Sequence, residues 1–194
     1  MASIRHKKDA VLDATRDCVL AVGVRRTTLT DVARRAGVSR MTIYRRWPDV
    51  QTLVADLMTR EWAGVVARVA PPEDGSPVRS QAVAALVAGV AALRAHPLFH
   101  KIIEVDPDVL LPYILERRGT SQEAMLRAFE GTLRAGHRDG SIRKAHPVRQ
   151  ARSVLLVLQS FAMSGHIMTG DDPALSAAAF DDELRQILER YLTP

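Results

Sequence analysis

Apolar residues recur at helical spacing along nearly the whole chain. No convincing run of alternating apolar and polar residues, the pattern of a half-buried strand, interrupts them. The last segment is typical, because Phe180, Leu184, Ile187, Leu188 and Tyr191 fall on one side of a helix. Apolar types make up 47% of the 194 residues, which is ample for a packed core. We therefore expect an all-α protein.

Proline and glycine divide these helices into two groups. The run Pro-Pro-Glu-Asp-Gly-Ser-Pro, from Pro71 to Pro77, predicts a linker. We expect a small N-terminal domain of three helices, a connecting helix, and a larger C-terminal helical domain. Their predicted bounds are residues 1–48, 49–69 and 70–194.

Positive charge is concentrated in the first quarter of the chain. Residues 1–47 hold 11 Lys and Arg against 4 Asp and Glu, whereas the remaining residues hold 16 against 18. This asymmetry indicates a module for nucleic acid or another anionic surface, joined to something else. A solvated basic surface would give the same counts, so charge alone does not decide between the two.

Several features argue against a membrane or exported protein. The longest uninterrupted apolar run, from Ala82 to Leu93, has twelve residues, whereas a bilayer span needs about 20. The basic N-terminus leads into a charged segment with no apolar stretch typical of a signal peptide. The single cysteine, Cys18, excludes an intrachain disulfide and is expected to be buried. We expect a cytoplasmic protein.

Two short helices, each with its own cap, lie between Thr28 and Trp47. The Thr28 hydroxyl can cap the first helix, and Asp31 three residues later completes a capping box. Gly37 can adopt the left-handed conformation that a tight turn requires, and Ser39 can cap the second helix. This arrangement is the helix-turn-helix pattern, whose second helix enters the DNA major groove.

The second helix, predicted from Arg40 to Trp47, has one anchored face and one basic face. Ile43 and Trp47 are one turn apart and would hold it to the core. Guanidinium groups suit guanine edges and phosphates, and hydroxyls suit phosphate oxygens. The side chains left to project outward are Arg40, Thr42, Tyr44 and Arg45.

From Gly23 to Trp47 the sequence resembles the DNA-binding domain of the tetracycline-repressor (TetR) family. The shared features are a Thr-x-x-Asp-Val-Ala start at Thr28, an Ala-Gly-Val-Ser turn, and Thr-Ile-Tyr followed three residues later by an aromatic residue. With its flanking helices, the resemblance covers about a third of the chain. It implies a homodimeric bacterial or archaeal regulator, most often a repressor, that binds a palindromic DNA operator and is released by a small effector.

The resemblance also implies roles for individual residues of the motif. By position, the implied phosphate contacts are Thr28, Ser39, Thr42 and Tyr44, and the implied base contacts are Arg40, Met41 and Arg45. Val50 stands where the family often has a lysine that reaches a phosphate, so that contact is not expected. Met41 replaces a residue that is usually small. It either contacts a thymine methyl group or packs against the first helix.

In this family the C-terminal domain binds the effector and dimerises, and its last two long helices pair with their twofold mates. Here these helices are expected from about Pro147 to Thr169, and from about Pro173 or Phe180 to Leu192. The expected interface residues are Leu155, Leu158, Ala162, Gly165, Phe180, Leu184, Ile187 and Tyr191.

The helices that line the family's effector pocket carry apolar and amphipathic residues here. The candidates are Trp62, Leu86, Phe99, His100, Ile103, Tyr113, Met125, Phe129, Gln159, Met163 and His166. Packing in the protein's own core is the alternative for each of them. Only four are polar enough to orient a ligand: His100, Tyr113, Gln159 and His166. We therefore expect a mostly apolar effector.

No pattern for metal binding or catalysis emerges. His96, His100 and Glu104 recur every fourth residue, but His96 precedes Pro97 and falls at or before the helix start, off that face. No phosphate loop or nucleophile elbow is present, so we expect no cofactor and no enzyme. The leading hypothesis is a ligand-responsive DNA-binding repressor. The alternatives are a constitutive or activating DNA binder without a working effector pocket, and a helical small-molecule carrier or enzyme.

Overall fold

The computed structural model describes residues 2–69 and 75–194, with side chains from residue 6 onward. Within these ranges every regular element is helical, which confirms the all-α prediction. Most of the predicted linker, residues 70–74, lies outside the described residues. The α-helices are α1 Ala2–Val22, α2 Leu29–Arg35, α3 Arg40–Tyr44, α4 Val50–Arg68, α5 Val78–Arg94, α6 Pro97–Val105, α7 Thr120–Arg138, α8 Pro147–Ser164 and α9 Ala177–Leu192.

The chain forms two compact units, each made of two sequence segments. One unit comprises Met1–Ala63 and Ala95–Ser121, and the other comprises Gly64–Arg94 and Gln122–Pro194. Residues 95–121, which the predicted linker assigns to the C-terminal domain, therefore pack in the same unit as the helix-turn-helix motif. A functional boundary near residue 70 stays a prediction.

The first unit is organised around α1, which contacts both α2 and α6, while α2 contacts α3. Cys18 on α1 is buried, as expected. His96 is the N-cap residue of α6, as its position before Pro97 predicts, and its Nε2 lies 3.3 Å from a carboxylate oxygen of Glu61. The largest fully buried side chains of this unit are Leu12, Ile43, Leu53, Leu57, Leu98 and Ile102.

The second unit packs α8 and α9 against α5. Valine and alanine on α5 allow close approach on more than one side, which suits a helix with two neighbours. The buried cluster of this unit comprises Val83, Val87, Val90, Leu126, Leu133, Ile142, Ala151, Val154, Ala162, Leu184, Leu188 and Leu192.

The ends of the last two helices differ from the prediction. α8 ends at Ser164 and is followed by a 3₁₀ turn, Gly165–Ile167, rather than continuing to Thr169. α9 begins at Ala177 because the Ser176 hydroxyl accepts a hydrogen bond from the Ala179 amide at 3.2 Å. Serine is a strong N-cap residue, so this start could have been predicted from the sequence.

No single helix within residues 2–69 and 75–194 has both the length and the apolar character needed to cross a membrane. Helices α5 and α6 meet that test only when taken together, as a bent pair.

A close contact at Gly136 closes the loop after α7. The Ile142 amide donates to the Gly136 carbonyl at 3.0 Å, and the Ile142 side chain is buried against the glycine. A Cβ atom at position 136 would lie 2.4 Å from Ile142 Cδ1. Only glycine leaves room for this isoleucine.

We predict that Gly136→Ala lowers the free energy of unfolding by about 1–3 kcal/mol, because the added methyl overpacks the core. Gly131→Ala is the matched control on the same helix, since nothing lies within 4 Å of a Cβ there. It should raise the free energy of unfolding by up to about 1 kcal/mol through helix propensity. Urea unfolding measures both, and equal effects of the two substitutions would contradict the packing argument.

Candidate nucleic-acid interface

The first motif helix, α2, begins at the cap predicted from the sequence. The Thr28 hydroxyl oxygen accepts from the Asp31 amide at 3.1 Å. The hydroxyl also donates to the Asp31 carboxylate at 2.6 Å. The Thr28 and Asp31 side chains are therefore hydrogen-bonded to each other across the first turn, which stabilises the start of α2.

The turn between α2 and α3 depends on Gly37. Its φ of +65° lies in the left-handed region, where a side chain would be strained. After this reversal the Val38 amide donates to the Ala33 carbonyl at 3.1 Å, which ties the turn back to α2. The chain then enters α3 at the predicted cap, because the Ser39 hydroxyl accepts from the Thr42 amide at 3.2 Å.

Helix α3 is shorter than predicted but is anchored by the predicted residues. It spans Arg40–Tyr44, and the Arg46 and Trp47 amides both donate to the Ile43 carbonyl as the last turn tightens. The exposed fractions of Ile43 and Trp47 are 0% and 3%. These two side chains fix which face of α3 points outward.

Four of the predicted DNA contacts on this helix face solvent together. Arg40, Met41, Tyr44 and Arg45 are exposed, whereas Thr42 is half-buried and its hydroxyl lies 2.8 Å from that of Ser39. Met41 is 75% exposed, so the interpretation that it packs against the first helix is wrong. Its exposed thioether is free to meet an apolar group such as a thymine methyl.

A polar chain that the sequence did not predict secures the end of α3. The Trp47 indole Nε1 donates to an Asp56 carboxylate oxygen at 3.1 Å, and Lys8 Nζ lies 3.3 Å from the same oxygen. The guanidinium of Arg46 lies over the indole ring, 5.2 Å from its centroid. Buried indole N–H groups usually find an acceptor, but no spacing rule identifies Asp56 as that acceptor.

The next helix, α4, starts three residues after Trp47. The Asp49 carboxylate accepts from the Thr52 amide at 2.7 Å, and this hydrogen bond is the main reason that the pKa of Asp49 is lowered. Val50, the first residue of α4, has no side-chain donor with which to reach a phosphate. The absence of this phosphate contact stays a prediction.

The predicted effector residues occur in both compact units. In the first unit, Trp62 meets Phe99 edge-on with ring centroids 5.9 Å apart. In the second unit, Leu86 and Phe129 pack against the buried cluster. His100 and His166 are exposed. The other candidates are half-buried: Ile103, Tyr113, Met125, Gln159 and Met163.

An open groove of about 490 Å³ lies between α1 and α2. It is lined by residues such as Cys18, Arg26 and Arg34, and none of the predicted effector residues takes part. Among the residues described, no group of three His, Cys, Asp or Glu side chains could hold a metal ion.

The predicted dimer residues are unequally exposed. Ala162 and Leu184 lie inside the core of the second unit, with exposed fractions of 5% and 0%, and so offer no surface to a second chain. Gly165 is also buried, and a Cβ there would lie 3.3 Å from Arg94. Ile187 is 40% exposed, whereas Leu155, Leu158, Phe180 and Tyr191 are half-buried.

Leu156 on α8 is 69% exposed and is absent from the predicted set. Its exposure could have been inferred from its position, because it lies one turn beyond the exposed Arg152 on the same face of α8.

Comparison with known proteins agrees with this geometry. Residues 11–57 match the model described as "Bacterial regulatory proteins, tetR family". An HTH-type transcriptional regulator of Mycobacterium tuberculosis is 38% identical over 182 residues, which cover 94% of this chain and 92% of that protein.

Two solved structures share the fold over nearly the full chain. The transcriptional repressor QsdR of R. erythropolis, from the TetR family, has a TM-score of 0.70 at 11% identity, with 98% of this chain and 97% of that chain covered. A SmeT–triclosan complex has a TM-score of 0.65 at 18% identity, with 97% and 92% covered.

We predict that Asp49 stabilises the start of α4 in a pH-dependent way. Because its pKa is lower in the folded than in the unfolded chain, its charge stabilises the fold above an unfolded pKa of about 3.9. That contribution is lost as the pH falls through the lowered folded pKa. Asp49→Asn keeps an acceptor without the charge. Urea unfolding should show the native protein more stable at pH 7 and the difference shrinking below about pH 4. A difference independent of pH would contradict this.

Proposed function

Because the chain belongs to the tetracycline-repressor (TetR) family of helix-turn-helix transcriptional regulators, we propose that it represses transcription by placing α3 in the major groove of an operator. The chain is a DNA-binding regulator and not an enzyme. The observation that carries the proposal is the outward face of α3, where two arginines, a tyrosine and a methionine are exposed above two fully anchored apolar residues.

The four exposed side chains suit different chemical groups of DNA. Arg40 and Arg45 present guanidinium forks that suit guanine edges or phosphates, and Tyr44 presents a hydroxyl for a phosphate oxygen. Met41 would contribute an apolar contact with a thymine methyl. Thr28, Ser39 and Thr42 would contact phosphates at the two helix starts, where first-turn amides also favour anions. The Thr28 hydroxyl would do so by exchanging the Asp31 carboxylate for a phosphate oxygen as its acceptor.

We infer that the operator is palindromic and is bound by a homodimer. In this family the last two helices pair across a twofold axis, and a twofold dimer presents two recognition helices to one face of DNA. Leu156 on α8 and Ile187 on α9 are the exposed apolar residues that support such an interface.

We further infer that a small, mostly apolar effector releases the protein from DNA. The candidate pocket side chains are largely apolar, and the structurally similar SmeT was solved as a complex with triclosan. A compound that raises the melting temperature of the free protein and lowers its affinity for DNA would be identified as an effector.

DNA recognition can be tested with a duplex selected by the native protein from a random-sequence library. We expect a palindromic site with an affinity that falls steeply with salt. Arg45→Ala should weaken binding to the selected duplex by about 1–3 kcal/mol if the arginine contacts a base edge. Arg127→Ala, which removes an exposed arginine from α7, is the charge-matched control. Equal losses in the two variants would show that α3 is not the recognition helix.

The dimer can be tested by light scattering coupled to size-exclusion chromatography. We expect the native protein to be a dimer and Leu156→Glu to be a monomer, because a buried unpaired charge opposes association. Leu115→Glu is the control, since Leu115 is 75% exposed and lies outside α8 and α9. A native monomer, or a Leu156→Glu variant that remains dimeric, would rule out this interface.

A further inference from the structure

Asp106, at the C-terminal end of α6, has a buried carboxylate that accepts hydrogen bonds from residues distant in the sequence. The residue is only 4% exposed. Its Oδ2 accepts from the Val24 amide at 2.6 Å and from the Arg25 amide at 3.4 Å. A buried carboxylate is costly unless such donors satisfy it. The donors belong to the loop between α1 and α2, some 80 residues earlier in the chain.

Gly23 makes this approach possible. It ends α1, where its amide donates to the Val19 carbonyl, and its φ of +86° lies in the left-handed region. A Cβ at this position would lie 2.5 Å from Asp106 Oδ2 and 3.0 Å from Val105 Cγ1. The loop and the C-terminal end of α6 therefore have complementary surfaces, which a side chain at position 23 would disrupt.

The same loop leads directly into the DNA-binding motif. The Thr27 amide donates to the Val24 carbonyl at 3.1 Å, and the Thr27 hydroxyl donates to the Gly23 carbonyl at 2.7 Å. The next residue, Thr28, is the cap of α2, and α2 contacts α3. Because these hydrogen bonds join Val24 to Thr27, a displacement of Val24 would also displace Thr28 and, with it, α2 and α3.

An ion pair on the surface ties the loop a second time. The Arg25 guanidinium donates to the Asp108 carboxylate, which raises the pKa of Arg25 and lowers that of Asp108. This pair is solvent-exposed and so adds little by itself. The buried hydrogen bonds to Asp106 dominate the attachment.

We propose that Asp106 is a positioning residue for DNA binding: by holding the Val24 and Arg25 amides, it keeps the α1–α2 loop, and with it α2 and α3, in the conformation that binds an operator. The proposal rests on the DNA-contacting role of α3 proposed above.

A positioning role differs measurably from a contact with DNA. Without Asp106 the loop would populate several conformations, and the apparent dissociation constant would rise in inverse proportion to the competent fraction. The phosphate contacts in the bound state would be unchanged, so the salt dependence would keep its slope. Loss of a phosphate contact would instead lower that slope by about one.

The test compares Asp106→Ala with Asp139→Ala in the full chain. Asp139 is the matched control because its carboxylate also accepts backbone amides, from Val78 and Ser141, but in the second unit. Both substitutions change the net charge equally, so nonspecific attraction to DNA is matched. Affinity for the selected duplex is measured across a salt series at a temperature where melting curves show every variant folded. Hydrogen exchange reports the Val24 and Arg25 amides without DNA.

We expect Asp106→Ala to lose about tenfold or more in affinity with an unchanged salt slope, and to lose exchange protection at Val24 and Arg25. Asp106→Asn keeps an acceptor oxygen and should recover most of both, whereas Asp139→Ala should retain native affinity. Equal affinities for Asp106→Ala and Asp139→Ala would overturn the proposal, as would native protection of Val24 in Asp106→Ala. If Asp106→Ala is impaired while Arg45→Ala is not, the assignment of α3 fails and the attachment to α6 stands.

Gly23→Ala tests the same contact from the other side. It should reproduce the loss of affinity by displacing the carboxylate. Gly140→Ala introduces a similar backbone strain, since Gly140 has a φ of +76° with nothing near its Cβ, and should leave affinity unchanged. If Gly23→Ala binds DNA as tightly as Gly140→Ala does, the close approach of Asp106 to the loop has no bearing on DNA binding.

Discussion

Helix α3 has five residues, far below the length of about 12–15 at which isolated helices become even marginally stable in water. It exists because Ile43 and Trp47 are buried beneath it and because Ser39 caps its first turn. The same burial directs the two arginines, the tyrosine and the methionine outward. The proposed DNA-binding surface is therefore a consequence of core packing, and a change in that packing would alter the surface even if every exposed side chain were kept.

The anchoring of α3 is supported by residues from other parts of the chain. Asp56 on α4 accepts the Trp47 indole N–H, and Asp106 at the end of α6 accepts amides from the loop that leads to α2. Both are carboxylates that satisfy donors at the edge of a core. A short helix-turn-helix motif has few residues with which to build its own core, and α6 supplies the additional support in this protein. This explains why residues 95–121 belong to the same compact unit as the motif.

In the second unit, helical periodicity alone does not separate core residues from interface residues. The apolar residues at helical spacing on α9 predict a dimer interface, yet Leu184 lies in the chain's own core while Ile187 is 40% exposed. Periodicity identifies which residues avoid water. It does not distinguish a neighbouring helix of the same chain from one of a second chain, because both present the same apolar surface. Leu156, one turn beyond Arg152 on the exposed face of α8, lies outside the apolar stripes, so periodicity indicates its exposure but does not identify it as an interface residue.

The sequence by itself determined whatever depends on neighbours within a few residues. The helical class, the caps at Thr28 and Ser39, the glycine turn at Gly37, the anchors Ile43 and Trp47, and the position of His96 before α6 all follow from local hydrogen bonding and helical period. Tertiary structure decided the exposure of Met41, the partition of α8 and α9 residues between core and surface, and the contacts of Asp56 and Asp106. Those contacts join residues up to 82 positions apart. No local rule encodes them, because a carboxylate finds its donor only after the helices that carry both have packed.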